Sequence, residues 1–135
     1  MLRKARIEDI EPVVQLIDSN LDKLLPRTSE ELRELLDTLW VVEEDKQIVG
    51  CCCLEVYSPK IAEVRSLAVR EDCRHKGYGE MLVHVATEEA QRRNVRQVLV
   101  VTSTREFFER LNFGSCLNEK YALFWMGPTT DGEKS

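Results

Sequence analysis

The sequence predicts one α/β (α+β) domain in which helices flank a central β-sheet. Its 135 residues suit a single core. Stretches with strand-like composition alternate with helical patterns along the chain. Residues 48–54 are so continuously apolar that neither side of this strand should face water. We therefore expect residues 48–54 to form the central strand.

The composition narrows the possible partners. A net charge of -5, without a concentrated basic face, argues against nucleic acid as a partner. No apolar run approaches the ~20 residues of a membrane span, and the N-terminus lacks the apolar stretch of a signal peptide. We expect no nucleic acid and no membrane as partners, and a cytoplasmic protein.

The first half of the chain predicts a strand, two helices and a hairpin. Residues 2–7 form the first strand, and a helix begins within residues 8–11 because Pro12 is tolerated only in a first turn. The helix ends before Pro26 and has the apolar face Ile10, Val13, Val14, Ile17, Leu21 and Leu24. Thr28 or Ser29 begins the second helix, and Glu31 completes a capping box with Thr28. Strands 39–43 and 47–57 then flank a turn at residues 44–46.

The second half predicts strand 61–69, a helix from Glu80 to about residue 93, strand 97–102 and a short helix from Thr104 to Leu111. In the longer helix, Met81, Leu82 and Val85 should face inward, and Glu88 and Glu89 outward. A terminal β pair should follow at residues 114–116 and 121–125. We expect one domain over residues 1–126 and a disordered tail over residues 127–135.

The loop between strand 61–69 and the following helix predicts a phosphate site. It reads Arg74-His75-Lys76-Gly77-Tyr78-Gly79. Two glycines allow positive φ, so successive backbone N–H groups can point into one concavity at the helix start. The helix dipole and three basic side chains add attraction for an anion. The alternative is a glycine-rich turn that only caps a helix.

This loop matches neither the dinucleotide fingerprint nor the P-loop, because Leu82 replaces a third glycine and no Gly-Lys-Ser/Thr is present. The pattern Arg-x-x-Gly-x-Gly after a Glu-bearing strand ending Leu-Ala-Val instead resembles the central motif of the GNAT superfamily of acyl-CoA N-acyltransferases. The resemblance extends over residues 2–125. It implies a mixed central sheet, splayed at the cofactor cleft, and acetyl-CoA (coenzyme A) as cofactor.

The resemblance also implies how the cofactor binds. Its pantetheine arm should pair with the backbone of Leu67, Ala68 and Val69. Its diphosphate should lie in the loop formed by Arg74, His75, Lys76, Gly77, Tyr78 and Gly79.

The chemistry requires a base, because an ammonium has no lone pair with which to attack a thioester. Glu63 is our candidate, since Ala62-Glu63-Val64 matches the position that supplies this function in many GNAT members. Glu63 could instead be a solvent-facing group or an ion-pair partner of Arg65, and Glu55 is the substitute base. A backbone N–H near Leu67 is the oxyanion donor that the resemblance suggests.

Many GNAT members also supply a tyrosine as general acid, but this sequence has Phe108 at that position. A dedicated acid is therefore in doubt. The reaction itself is not, because a thiol of pKa ~8.5 leaves readily and water can protonate it. Phe107 and Phe108 are expected in core and cofactor-side packing. Asn112, in place of a glycine, tolerates the left-handed conformation.

Within the superfamily, the sequence looks most like the acetyltransferase domain of N-acetylglutamate synthases. An arginine in the loop between the first two helices of that subgroup holds the substrate carboxylate, and Arg27 matches it. The alternative for Arg27 is a solvated side chain. Ser103 and Thr104 match substrate-contacting positions, although Ser103 replaces the subgroup's arginine, which weakens glutamate specifically.

The resemblance thus implies an N-acetyltransferase of amino-acid metabolism that acetylates the primary amine of a small, glutamate-like substrate. A peptide, polyamine or drug acetyltransferase and a non-catalytic acyl-CoA binder remain alternatives. The sequence leaves the oligomeric state open, with a homodimer as one option.

The five cysteines predict neither disulfides nor a metal site. Cys51, Cys52 and Cys53 are consecutive in a strand, so their side chains alternate between its faces. Reduced, mostly buried thiols are expected. Cys73 is the exception: we expect it to be exposed but non-catalytic, and nearby positive charge would favour its thiolate.

Overall fold

The computed structural model describes residues 1–114, 123 and 125–128. The chain divides into two compact units, residues 1–102 and residues 103–135. The strands and helices of the first unit are β1 (Leu2–Lys4), α1 (Ile10–Asp18), α2 (Ser29–Glu34), β2 (Leu39–Glu44), β3 (Gln47–Ser58), β4 (Ile61–Val69), α3 (Tyr78–Arg92) and β5 (Gln97–Leu99). The second unit contains α4 (Arg105–Glu109).

The five strands form one sheet in the order β1-β2-β3-β4-β5. The first four pair antiparallel, whereas β5 pairs parallel to β4, so the sheet is mixed as predicted. The apolar strand β3 is central, and β4 has the predicted bounds. Asp45 and Lys46 join β2 to β3 with φ values of 51° and 63°, which suits a two-residue hairpin turn.

The first two helices begin where the sequence predicts. Helix α1 starts at Ile10, which keeps Pro12 in its first turn, but it ends at Asp18 and leaves Leu21 40% exposed. The Thr28 hydroxyl accepts from the Glu31 N–H at 3.1 Å, and the Glu31 carboxylate accepts from the Thr28 N–H at 3.1 Å. The predicted capping box is therefore present.

The inner face of α3 is predicted only in part. Leu82 is buried and Glu88 is exposed, as expected, but Met81 is 42% exposed and Val85 is only partly buried. The buried residues of α3 are Leu82, Val83, Ala86, Glu89 and Ala90. Glu89 is tolerated inside because the Arg92 and Arg93 guanidiniums bind its carboxylate, and these interactions hold its pKa below the ordinary value. Glu89 can lie on the buried face because two guanidiniums bind it, although hydrophobicity alone would place it in solvent.

Apolar side chains pack on both faces of the sheet. A cluster of α1, α2 and sheet side chains includes Cys51 and Cys53, but not Cys52 between them. Cys51, Cys52, Cys53 and Cys73 are free thiols, and burial raises the pKa of Cys51 to about 12 and that of Cys53 to about 11. The prediction of buried, free thiols is thus confirmed for residues 51–53, whose side chains alternate between the two faces of the strand.

In the second unit, Phe108 is buried against Phe107 and Phe113, with ring centroids 5.0 and 5.4 Å away. Asn112 has φ = 70°, the left-handed conformation expected of it. The predicted terminal β pair at 114–116 and 121–125 lies largely outside the described residues. No helix in the described part of the chain is both long and apolar enough to cross a membrane.

Candidate active site

The sheet opens between its two parallel strands. Pairing between β4 and β5 runs from Ile61 opposite Gln97 to Glu63 opposite Leu99, where β5 ends. Strand β4 continues to Val69. The backbone of β4 beyond Glu63 therefore has no β5 partner among the described residues, and this is the splay that the GNAT resemblance implies. Strand β5 is shorter than the predicted 97–102 because it ends where the strands part.

The open part of β4 contains a β-bulge. Cys51 pairs with Ala68 and Cys53 with Arg65, so Ser66 and Leu67 together lie opposite the single residue Cys52. Ser66 has φ = 56°, an uncommon conformation for a residue other than glycine. The bulge removes Leu67 from the regular register, at the position that the sequence analysis assigns to the oxyanion donor.

Two carboxylates share one phenol beside this opening. Glu55 on β3 and Glu63 on β4 are directly opposed in the antiparallel register. The Tyr57 hydroxyl lies 2.6 Å from Glu55 Oε2 and 2.6 Å from Glu63 Oε1. Tyr57 is the hydrogen-bond partner of Glu63 in the described part of the chain, and Arg65 donates to Glu55 rather than to Glu63.

Arg27 joins the same network from the loop before α2. Its side chain is only 7% exposed. Nη2 lies 3.2 Å from Glu55 Oε1, Nη1 lies 3.4 Å from Glu31 Oε2, and Nε lies 3.4 Å from Ser66 Oγ. Arg27 is therefore not a solvated side chain, and it connects the helical loop to both the carboxylate pair and the bulge.

The surroundings of Glu55 make it a poor substitute for Glu63 as a base. Burial alone would raise the pKa of the Glu55 carboxyl, but the Tyr57 hydrogen bond and the charges of Arg27 and Arg65 outweigh it and lower the pKa. Glu55 is thus held as an anion between two guanidiniums. A carboxylate stabilised in this way gains little by accepting a proton.

The predicted phosphate loop lies between β4 and α3, but only one of its two glycines has the left-handed backbone that the sequence suggests. Gly77 has φ = 82°, but the second left-handed residue is His75, with φ = 67°, and not Gly79, which is inside α3. Arg74 donates to Asn20 Oδ1 at 3.0 Å and to the Val69 carbonyl at 3.3 Å. These contacts attach the loop to the end of α1 and to the end of β4.

The backbone amides of the loop are available to an anion. The N–H groups of residues 75–80 donate to no backbone or side-chain acceptor within the described ranges. A Cβ built on Gly77 would meet nothing within 4 Å. Coenzyme A fits this arrangement, because an open loop of unsatisfied amides at a helix N-terminus suits a diphosphate and the unpaired edge of β4 suits an amide-bearing arm.

One carboxylate lies beside this loop. Glu44, at the end of β2, accepts from Lys76 Nζ at 3.1 Å and from the Tyr78 hydroxyl. The hydrogen bond from Tyr78 and the Lys76 ammonium lower the pKa of Glu44. Two of the side chains predicted to bind the cofactor therefore bind Glu44 in this structure.

The predicted exposure of Cys73 is wrong. Cys73 is 2% exposed rather than exposed, and burial together with the charges of Asp72 and Glu44 raises the pKa of its thiol. Arg70 and Lys76 act in the opposite direction but do not prevail. The basic residues of the loop therefore do not favour a thiolate at Cys73, because the neighbouring carboxylates offset them.

The remaining predicted site residues lie in the second unit. Ser103 and Thr104 line a shallow hollow of about 520 Å³ with five residues of the same unit. Phe108 is buried within that unit. The substrate contacts of Ser103 and Thr104 and the cofactor contact of Phe108 stay predictions.

Comparison with known families agrees with this geometry. Residues 36–114 match the acetyltransferase (GNAT) domain model. The chain belongs to the GNAT acetyltransferase family. It is an acetyl-CoA-dependent N-acetyltransferase, in agreement with the fold and activity implied by its sequence motif.

Three related proteins show how much of the chain is matched. An uncharacterized N-acetyltransferase of Chlorobaculum tepidum is 32% identical over 114 residues, which cover 83% of this chain and 74% of that protein. An amino-acid acetyltransferase of Mycobacterium tuberculosis is 31% identical over 117 residues, covering 84% of this chain and 67% of that one. An amino-acid acetyltransferase of Aeromonas salmonicida is 33% identical over 104 residues, which cover 75% of this chain but only 24% of that longer protein.

Solved structures give the same family and the same subgroup. A Mycobacterium tuberculosis protein in complex with CoA matches with a TM-score of 0.82 and 29% identity, over 87% of this chain and 73% of that chain. N-acetylglutamate synthase from Neisseria gonorrhoeae, complexed with coenzyme A and N-acetyl-glutamate, matches with a TM-score of 0.76 and 25% identity, over 82% of this chain and 27% of that chain. The predicted likeness to N-acetylglutamate synthase is thus confirmed.

The sequence analysis missed two residues of this GNAT site, Tyr57 and Ser66. A signal for Tyr57 exists: it lies two residues after Glu55 in a strand, so both face the same side, and the tight turn after it brings strand 61–69 alongside. Ser66 has no comparable signal, because the bulge depends on the β3–β4 register.

Proposed function

We propose that this GNAT acetyltransferase acetylates the primary amine of a small amino acid, with a glutamate-like acceptor as the leading candidate. The observation that carries the proposal is the network that joins Arg27 to Glu63 through Glu55 and Tyr57. It unites a guanidinium able to bind a carboxylate with a carboxylate able to accept an amine proton. The amino-acid acetyltransferase relatives support the same acceptor class.

Arg27 is proposed to bind the carboxylate of the acceptor. A guanidinium can bind a carboxylate with two parallel hydrogen bonds. Glu31, with a 49% exposed side chain and a 3.4 Å contact, is the weaker and more accessible of the two carboxylates on Arg27. An incoming carboxylate would replace Glu31 more readily than it would replace the less exposed Glu55.

Glu63 is proposed to accept one proton from the acceptor ammonium, directly or through water. The neutral nitrogen then forms the N–C bond while the C–S bond of the thioester breaks, and the second departing proton reaches the sulfur through water. The Leu67 N–H in the bulge is proposed to donate to the acyl oxygen under attack. Bound acetyl-CoA supplies the activated acyl group, and residues 67–69 and 74–79 are proposed to hold it.

A cationic acceptor, such as a polyamine, is the second candidate. Glu55 and Glu63 are directly opposed, and Glu31 lies beside the same arginine. When ionised, these three carboxylates carry three negative charges, and the guanidiniums of Arg27 and Arg65 carry two positive charges. The network then has one excess negative charge. Such an excess favours a substrate amine that carries further positive charge.

Thiol release from acetyl-CoA, measured with a panel of acceptors, tests the proposal. We expect turnover with free amino acids, and a higher kcat/KM for those with a second carboxylate than for their amides. Turnover only with polyamines or basic peptides would overturn the amino-acid acceptor. CoA binding without thiol release on any amine would instead indicate a non-catalytic binder.

A further inference from the structure

The opposed carboxylates Glu55 and Glu63 require something to offset their repulsion. Like charges directly across a strand pair destabilise a sheet. Glu55 is compensated by Arg27 at 3.2 Å and by Arg65 at 3.3 Å. Glu63 makes no ion pair in the described part of the chain, although the charge of Arg65 acts on it as well, and across β5 its register partner is the uncharged Leu99. The electrostatic support of the two carboxylates is thus unequal.

Tyr57 supplies the missing support. Its hydroxyl lies within 2.6 Å of one oxygen of each carboxylate, yet it carries a single proton and can donate to only one oxygen at a time. Because burial and both carboxylates disfavour a phenolate, the pKa of Tyr57 lies well above its ordinary value. Tyr57 is therefore protonated at neutral pH and available as a hydrogen-bond donor.

The two arginines influence how Tyr57 divides its donation. Glu55 already accepts from Arg27 and Arg65. Glu63 accepts from Tyr57 through Oε1, whereas its Oε2 has no partner among the described residues. Because Glu55 has two other donors and Glu63 has none in the part of the chain that the structure describes, Tyr57 should donate preferentially to Glu63. The Oε2 oxygen of Glu63 is then available to the acceptor amine.

We infer that Tyr57 is a positioning residue of the acetyl transfer, and that its hydroxyl orients the Glu63 carboxylate. This inference rests on the proposed function of Glu63. It deepens that function, because it adds a residue that holds the base in position. The Tyr57 side chain, in a half-exposed residue, is large enough to span both strands, and a phenylalanine retains its packing.

The variant Tyr57→Phe removes only the hydroxyl. Without this donor, Glu63 Oε1 loses the hydrogen bond that orients it, so the loss should fall on kcat rather than on acceptor KM. At pH 7 we expect kcat to fall several-fold, with little change in acceptor KM or CoA affinity. Ser58→Ala is the matched control: it also deletes one hydroxyl, which accepts from the Lys60 N–H in the adjacent turn, and it should leave kcat unchanged.

A ¹³C NMR measurement of the Tyr57 ring provides a second readout that needs no acceptor. The Tyr57 Cζ signal is assigned by its loss in Tyr57→Phe. We expect this signal to shift in Glu63→Gln, because the hydroxyl then meets an amide oxygen in place of a carboxylate oxygen, and not to shift in Ser58→Ala.

These outcomes separate the inference from the proposed function. An unchanged kcat in a folded Tyr57→Phe protein, or a Tyr57 Cζ signal that does not respond to Glu63→Gln, would overturn the role of Tyr57, even if Glu63 proves to be the base. A Cζ signal that responds to Glu63→Gln in a protein that acetylates no amine would support the contact of Tyr57 with Glu63. It would then be the proposed function that fails.

Discussion

The two halves of the site differ in how far the protein satisfies its own polar groups. On the acceptor side, Arg27, Glu55, Tyr57 and Glu63 bind one another in a continuous network. On the cofactor side, the amides of residues 75–80 have no acceptor in the part of the chain that the structure describes. The cofactor half is prepared to receive an anion, whereas an acceptor must compete with carboxylates already in place.

This difference indicates how each half achieves selectivity. Unsatisfied amides at a helix start bind any suitably shaped diphosphate. In the acceptor half, the side chains already bind one another, so a substrate binds well only if its contacts are stronger than those it replaces. This half therefore selects among acceptors. We therefore expect substitutions on the acceptor side to change pH dependence and acceptor KM, and substitutions on the cofactor side to change CoA affinity alone.

The largest effect is expected from Glu63→Gln. Loss of a general base costs about 10²–10⁴ in rate, and glutamine still accepts the Tyr57 hydrogen bond, so the fold should be retained. The deficit in kcat should be greatest at low pH and shrink as pH approaches the amine pKa of about 10, where the acceptor loses its proton unaided. Stopped-time thiol assays across pH would measure it.

Glu88→Gln is the matched control for this experiment. Glu88 is exposed on α3 and pairs with His84, outside the network. Its profile should coincide with that of the unaltered protein. If the Glu63→Gln profile runs parallel to the unaltered one at every pH, Glu63 does not act as the base.

Arg27→Ala should have the next largest effect. Removing a charge-assisted contact to the acceptor carboxylate costs about 1.5–3 kcal/mol, which corresponds to roughly a 10–100-fold rise in acceptor KM. CoA affinity, measured by calorimetry, should not change. Arg27→Lys should be intermediate, because an ammonium cannot form the paired hydrogen bonds of a guanidinium.

The control for Arg27 is Arg33→Ala, an exposed arginine in the same helical region. Its acceptor KM should match that of the unaltered protein. An Arg27→Ala variant with both kinetic constants unchanged would remove the carboxylate role. The amino-acid acceptor would then lose its main structural support.

Gly77→Ala tests the cofactor half. The left-handed conformation costs an alanine about 1–2 kcal/mol, although a Cβ meets no atom within 4 Å. We expect CoA affinity to fall roughly tenfold, with acceptor KM unchanged. Gly114→Ala is the control, since Gly114 is exposed, has no positive φ and has open space around a Cβ. Unaltered CoA binding in Gly77→Ala would place the diphosphate elsewhere.

The sequence predicts the fold and the position of the glycine-rich loop well, because both depend on local signals. The hairpin, β4 and the capping box at Thr28 follow from residues close together in sequence. The loop at residues 74–79 combines glycine, basic residues and a helix start in one short stretch. Such features are determined by backbone preference and helix geometry, which short segments encode.

The acceptor half is less predictable, because it depends on contacts between distant segments. Arg27 reaches Ser66 across 39 positions, and Tyr57 meets Glu63 only through the register of β3 and β4. Glu89 and Cys73 were misassigned for the same reason. Glu89 is buried beside Arg93, and Glu44 lies near the buried Cys73 thiol. The sequence pattern reveals neither contact.

The smallest effect is expected from Glu44→Gln, and it has the opposite sign. Among the described residues, Glu44 is the carboxylate that binds Lys76 and Tyr78, so its removal should strengthen CoA binding about two- to fivefold, in keeping with an exposed charge pair. Its pKa lies below the ordinary value, so Glu44 is ionised at neutral pH and the gain should be present there. The gain should disappear as pH falls through that pKa, because the unaltered side chain then also becomes neutral. Calorimetry at several salt concentrations would measure it, and a loss of CoA affinity in Glu44→Gln would instead mean that Glu44 holds Lys76 in its binding position.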